Sequence, residues 1–114
     1  MKDQHAHENC IEACLRCAAA CLECASFCLK EEDVNSMAKC IQLDLECAAI
    51  CKASAELMSL GSQHSMDICR ICADICEACA RECSRHENDH CQRCAVECNA
   101  CAEECRKMEL AGQE

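Results

Sequence analysis

The chain has no proline, tryptophan or tyrosine, two glycines, Gly61 and Gly112, and one aromatic residue, Phe27. Ala, Glu, Leu, Lys and Arg are abundant, so the composition favours helix throughout and argues against a sheet. Basic residues are scarce: 11 Lys and Arg stand against 21 Asp and Glu, for a net charge of −10. That leaves no basic patch for nucleic acid. No apolar run is long enough to span a bilayer, and Met1-Lys2-Asp3-Gln4-His5 lacks the apolar core of a secretory signal. The expectation is a cytosolic protein whose thiols stay reduced, with no membrane partner. Catalytic patterns are also missing: there is no Ser/His/Asp set, no phosphate loop and no paired catalytic carboxylate with an evident pocket, so no enzyme is expected.

What is present is cysteine, at 19 of 114 residues. The gaps alternate between four and three along Cys10, Cys14, Cys17, Cys21, Cys24 and Cys28. They do so again along Cys69, Cys72, Cys76, Cys79 and Cys83, and along Cys91, Cys94, Cys98, Cys101 and Cys105. These are neighbour spacings on one face of an α-helix. Helices are predicted over residues 3–31, 36–60, 63–86 and 89–110, within one small domain spanning 1–114. Asn35 or Ser36 is placed to cap the second helix, Ser62 the third, and Asn88 or Asp89 the fourth, while Gly61 suits the end of the second. Joints this short make sequential helices antiparallel, so the expected fold is an all-α, up-down-up-down four-helix bundle.

In a heptad frame every cysteine takes an inward position, including Cys40, Cys47 and Cys51 of the second helix. That helix is interrupted at inward positions by Met37, Asp44, Ser54 and Met58. Alanine dominates the flanking positions (Ala18, Ala25, Ala48, Ala73, Ala80, Ala95, Ala102), which lets helices approach and leaves axial room. Leucine would pack such a seam far better than thiol, so packing alone does not explain nineteen cysteines. A disulfide scaffold is disfavoured by the odd count and by the poor orientation of thiols along one helix face.

Thiolate is a soft ligand, which points to Cu(I), Zn(II), Cd(II) or an iron–sulfur cluster. Clusters and structural zinc use isolated sets of four ligands, a poor match to a continuous ladder. Cu(I) accepts two or three sulfurs, and shared thiolates then allow on the order of twenty ions per chain. A monovalent ion per thiolate also leaves the buried column nearly neutral. All nineteen cysteines are therefore candidate ligands. The repeated C-x3-C-x2-C ladder from Cys10 to Cys105 resembles the bacterial copper storage proteins of the cytosolic type. That resemblance implies Cu(I) storage in the lumen of a four-helix bundle and a homotetramer of bundles. A copper chaperone or efflux system is a candidate partner. The competing readings are a Zn(II)/Cd(II) thiolate sponge and a thiol redox protein acting through C-x2-C pairs.

His86 and His90 are further candidate ligands, expected at the bundle end that holds Cys28 and Met37; the alternative is a solvated loop histidine. His7, Met58, Met66 and Met108 fall at the opposite end, where methionine is read as packing ahead of ligation. His5 and His64 are read as solvated. Asp44 either faces inward as a ligand or thiol partner, or yields that place to Leu43. Leu15, Leu22 and Leu29, seven residues apart, form an outward stripe suited to a contact between subunits.

Overall fold

The computed structural model describes the backbone of residues 2–112 and the side chains of 7–110. Four helices make the fold: α1 (Lys2–Cys28), α2 (Ala38–Ser59), α3 (Ser65–Ser84) and α4 (Asp89–Gly112), with a 3₁₀ turn, Val34–Met37, leading into α2. No strand occurs among the described residues, and no described helix is long and apolar enough to cross a membrane. α1 and α3 each pack against both α2 and α4. Contacts between Cys10 and Cys105 at one end and Cys28 and Cys91 at the other set α1 and α4 antiparallel. The pairs Cys40–Cys83 and Cys51–Cys72 do the same for α2 and α3. The result is a rod of 49 × 20 × 17 Å.

The helix ends follow local chemistry. Gly61 takes φ +67°, and the Gly61 and Ser62 amides donate to the Met58 and Leu57 carbonyls. This is a Schellman closure, and the left-handed residue it requires is the expected glycine. Asn88 stands at the start of α4, its carbonyl accepting from the Cys91 and Gln92 amides.

The other two caps differ from expectation. Ser36 spends its hydroxyl on the Asp33 carbonyl at 2.8 Å, closing the 3₁₀ turn, so α2 begins at Ala38 with Met37 before it. Ser62 Oγ accepts from the His64 amide at 3.0 Å, which makes a turn ahead of the helix and delays α3 to Ser65. α1 stops at Cys28 rather than near 31, as the Lys30 and Glu31 amides tighten onto the Phe27 and Cys28 carbonyls. α4 continues through Gly112, which tolerates helical dihedrals as readily as the left-handed kind.

The core is made of Cys, Ala and Met. All nineteen cysteines have zero exposure, and Met37, Met58 and Met108 are buried with them. Asp44 is fully buried, while Leu43 is half-buried on the flank of the core, so the seam of α2 turns its carboxylate inward. Leu15, Leu22 and Leu29 are exposed, as the outward stripe requires. Arg106 clamps α4 to α3 through Asp74 at 2.7 Å and Glu77 at 2.9 Å. Such exposed pairs orient helices more than they stabilise them.

Candidate metal centre

All nineteen thiols are free. Within a helix the close pairs are i,i+4 neighbours, such as Cys17–Cys21 at 4.0 Å, Cys72–Cys76 at 3.8 Å and Cys94–Cys98 at 3.9 Å. Between helices the sulfurs lie at 3.7 Å for Cys17–Cys47, 3.5 Å for Cys47–Cys76, 3.7 Å for Cys21–Cys98 and 3.6 Å for Cys14–Cys101. Disulfide sulfurs would stand about 2 Å apart, so these are open contacts. Sulfurs bound to one ion through bonds of about 2.3 Å would stand roughly 4 Å apart at three- or four-coordination. The column is therefore spaced for ions with modest adjustment.

The four-thiol sets overlap. Cys51 and Cys101 belong both to the set with Cys14 and Cys72 and to the set with Cys17 and Cys76. Cys21 and Cys98 link the set holding Cys17 and Cys47 to the set holding Cys79 and Cys94. A ligand shared by adjacent sets is a bridging ligand. Isolated tetrahedral sites would leave each thiol to one ion.

At one end, Cys24, Cys28, Cys40 and Cys91 form the last set. His90 closes it. Its Nδ1 lies 3.5 Å from Cys24 Sγ, 3.6 Å from Cys91 Sγ and 3.9 Å from Cys28 Sγ. On the other side of the ring, Nε2 meets Glu31 Oε1 at 3.1 Å. A proton held on Nε2 for that carboxylate leaves the Nδ1 lone pair facing sulfur, the arrangement that orients a ligating imidazole. Phe27 stacks on the ring at 5.4 Å. His86, by contrast, directs Nε2 to Glu82 Oε2 at 2.9 Å. Neither Glu31 nor Phe27 was legible as a site residue in the sequence, since both lie off the seam.

Among the described residues, Asp44 is the one carboxylate inside the column. Cys79, Cys83 and Cys94 donate to its Oδ1 at 3.3, 3.4 and 3.4 Å, and Cys40 faces Oδ2 at 3.8 Å. Burial, and then the charge of Cys94, push its carboxyl up to about 8. Burial, then the charge of Cys40, raises the Cys91 thiol to about 12.

The sign of the Asp44 effect follows from proton counting. An aspartate in the unfolded chain titrates near 4, so between about pH 4 and 8 the folded chain carries the extra proton and loses stability as pH rises. Urea unfolding of the reduced apo protein will show stability falling between pH 5 and 8, and Asp44→Asn will flatten that slope. An unchanged slope in the variant would assign the dependence to other groups.

At the far end the column finishes at Cys10, Cys69 and Cys105, with Cys10 and Cys105 at 3.7 Å. Cys69 Sγ donates to Met58 Sδ at 3.6 Å. Met66 is half-buried and His64 exposed. His7 is half-buried, and the expectation for His5 lies outside the described side chains.

Comparison with known proteins agrees with this geometry. The family model described as copper storage protein matches residues 3–110. The structure of Cu(I)-bound copper storage protein BsCsp3 from Bacillus subtilis superposes with a TM-score of 0.88 at 48% identity, covering 91% of this chain and 98% of that one. A cytosolic copper storage protein from Streptomyces lividans, in a structure with five coppers, superposes with a TM-score of 0.92 at 38% identity, covering 95% of each chain. The cysteine-rich protein YhjQ of Bacillus subtilis is 50% identical over 78 residues, 68% of this chain and 72% of its own length. A buried thiol column in a four-helix bundle, matched over nearly its full length by that family model, places this chain in the copper storage protein family.

Proposed function

We propose that the protein sequesters Cu(I) in the cytosol, holding many ions on the thiolates of its core. One observation carries this reading: nineteen free thiols, none exposed, fill one column from Cys10 and Cys105 to Cys28 and Cys91, with overlapping four-thiol sets along its middle. Each binding thiol gives up its proton as the soft cation arrives. One monovalent ion entering per proton leaving keeps the buried column neutral, whereas divalent ions at four thiolates would each leave about two negative charges behind. Shared thiolates set the capacity on the order of twenty ions per chain.

Copper enters at the His90 end. The Nδ1 lone pair meets the incoming ion and passes it to Cys24, Cys28 and Cys91, and ligand exchange moves it inward through Cys40, a member of the same four-thiol set, to Cys83 at 3.5 Å. His86, paired with Glu82 at the rim, serves as an outer acceptor rather than a member of the thiol set. Asp44 trades its thiol hydrogen bonds for a place beside copper. The exposed leucine stripe of α1 supports assembly into a homo-oligomer, a tetramer by family resemblance. Delivery and withdrawal at the mouth fall to a copper chaperone or an efflux system.

Anaerobic Cu(I) titration with size-exclusion readout tests the reading. Saturation on the order of twenty Cu(I) per chain is the expected result. Saturation at about five to seven divalent ions, with little Cu(I) taken beyond that, would instead mark a zinc or cadmium sponge. The thiol redox reading fits poorly, because its C-x2-C pairs are out of reach of a protein disulfide.

A further inference from the structure

The far end of the column is built differently from the rest. In the set Cys14, Cys51, Cys72 and Cys101 each helix supplies one thiol. One layer further out, α1, α3 and α4 still supply Cys10, Cys69 and Cys105, but α2 supplies Ser54 and then Met58. Met58 is buried, and Cys69 Sγ donates its proton to Met58 Sδ at 3.6 Å. Cys10 and Cys105 stand at 3.7 Å, and Cys69 is near enough to both to perturb their titration. Ser54 is fully buried, and its Oγ has no hydrogen-bond partner. It lies one turn from Met58 on the same face of α2.

We propose that the column ends in a mixed thiolate–thioether Cu(I) site, with Cys69 Sγ and Met58 Sδ holding one ion between α3 and α2 and Cys10 and Cys105 joining it to the ions below. The inference rests on the Cu(I) storage reading and adds a ligand of a different kind. In the apo protein the Cys69 proton occupies the gap between the two sulfurs. Cu(I) takes that gap, the Cys69 S–H bond breaks, a Cu–S bond forms, and the proton leaves to solvent. One positive charge replaces another, and the neutral thioether adds coordination without adding charge. Packing alone would be served by leucine and would not aim sulfur at a donor thiol. Because a thioether binds less tightly than a second thiolate, this position fills last and releases first.

The test is X-ray absorption at the selenium edge on Cu(I)-saturated, selenomethionine-labelled protein, with Met58→Leu as the variant. Leucine conserves volume, so the bundle should persist, which the melting curve of the apo variant checks. A copper neighbour of selenium in the parent that vanishes in Met58→Leu is the expected result. With it, the most weakly held copper should lose about tenfold in affinity for a competing chelator while the tighter ions are unmoved. Full copper loading with no copper–selenium neighbour, or a neighbour that persists in Met58→Leu, would overturn the site and leave storage standing. Failure to load Cu(I) at all would instead overturn the storage reading.

Discussion

Filling the column with Cu(I) raises the unfolding temperature by more than about 30 °C relative to the reduced apo protein. The reason lies in what the core lacks. The buried apolar residues are cysteine, alanine and methionine, while Leu15, Leu22, Leu29 and Val96 face outward. Small side chains bury little apolar surface, so the apo bundle is held modestly. Each bound ion then bridges sulfurs from different helices, as at Cys17, Cys47 and Cys98. Binding to the folded chain alone contributes about 4 kcal/mol per site at a thousandfold excess over Kd. A few such ions suffice, because each kcal/mol moves a domain of this size by about 4 °C. Anaerobic circular dichroism melts of apo and loaded protein measure the shift. An unchanged midpoint would mean that copper binds outside the column.

Replacing Cys17, Cys21, Cys47 and Cys98 together by serine cuts the column in the middle. Cys47 alone touches Cys17, Cys51, Cys76 and Cys98 within 4.0 Å, so its loss removes bridges as well as a terminal ligand. A hydroxyl is hard and protonated at neutral pH, and it does not replace a thiolate for Cu(I). The variant should lose at least about four ions per chain. The layers at Cys10, Cys69 and Cys105 should fill far more slowly than those at the His90 end, because ligand exchange must jump the gap. The fold should tolerate the change, since Ser54 already buries an unpartnered hydroxyl on the same seam. Copper counts at saturation and stopped-flow uptake read both effects. Uptake of the remaining ions at the parental rate would show that copper does not travel along the column.

Much of this was legible residue by residue. The gaps from Cys10 to Cys28 could only be a helix face, and the joints near Gly61 and Asn88 were short enough to force antiparallel neighbours. Cap positions at Ser36 and Ser62 were not legible, because a hydroxyl that can cap a helix can as easily close the turn before it. The two histidines show a similar limit. His86 continues the α3 seam yet pairs with Glu82, whereas His90 sits one place before the α4 seam and reaches the thiols. Where a helix begins, its first side chains are positioned by contacts from outside that helix, here Glu31 of the joint and Phe27 of α1, as much as by heptad phase.

The sequence by itself determined that four helices would each carry sulfur along one face and that those faces would meet. Period and count suffice for that, because a side chain's direction on a helix follows from its number. Only the tertiary structure decided which thiol meets which, because a ladder repeating every turn looks the same after a one-turn slide. The axial stagger is set by the Gly61 closure, the Asn88 start and the Arg106 clamp. It brings Cys47 to Cys98, Asp44 among Cys79, Cys83 and Cys94, and Met58 to Cys69.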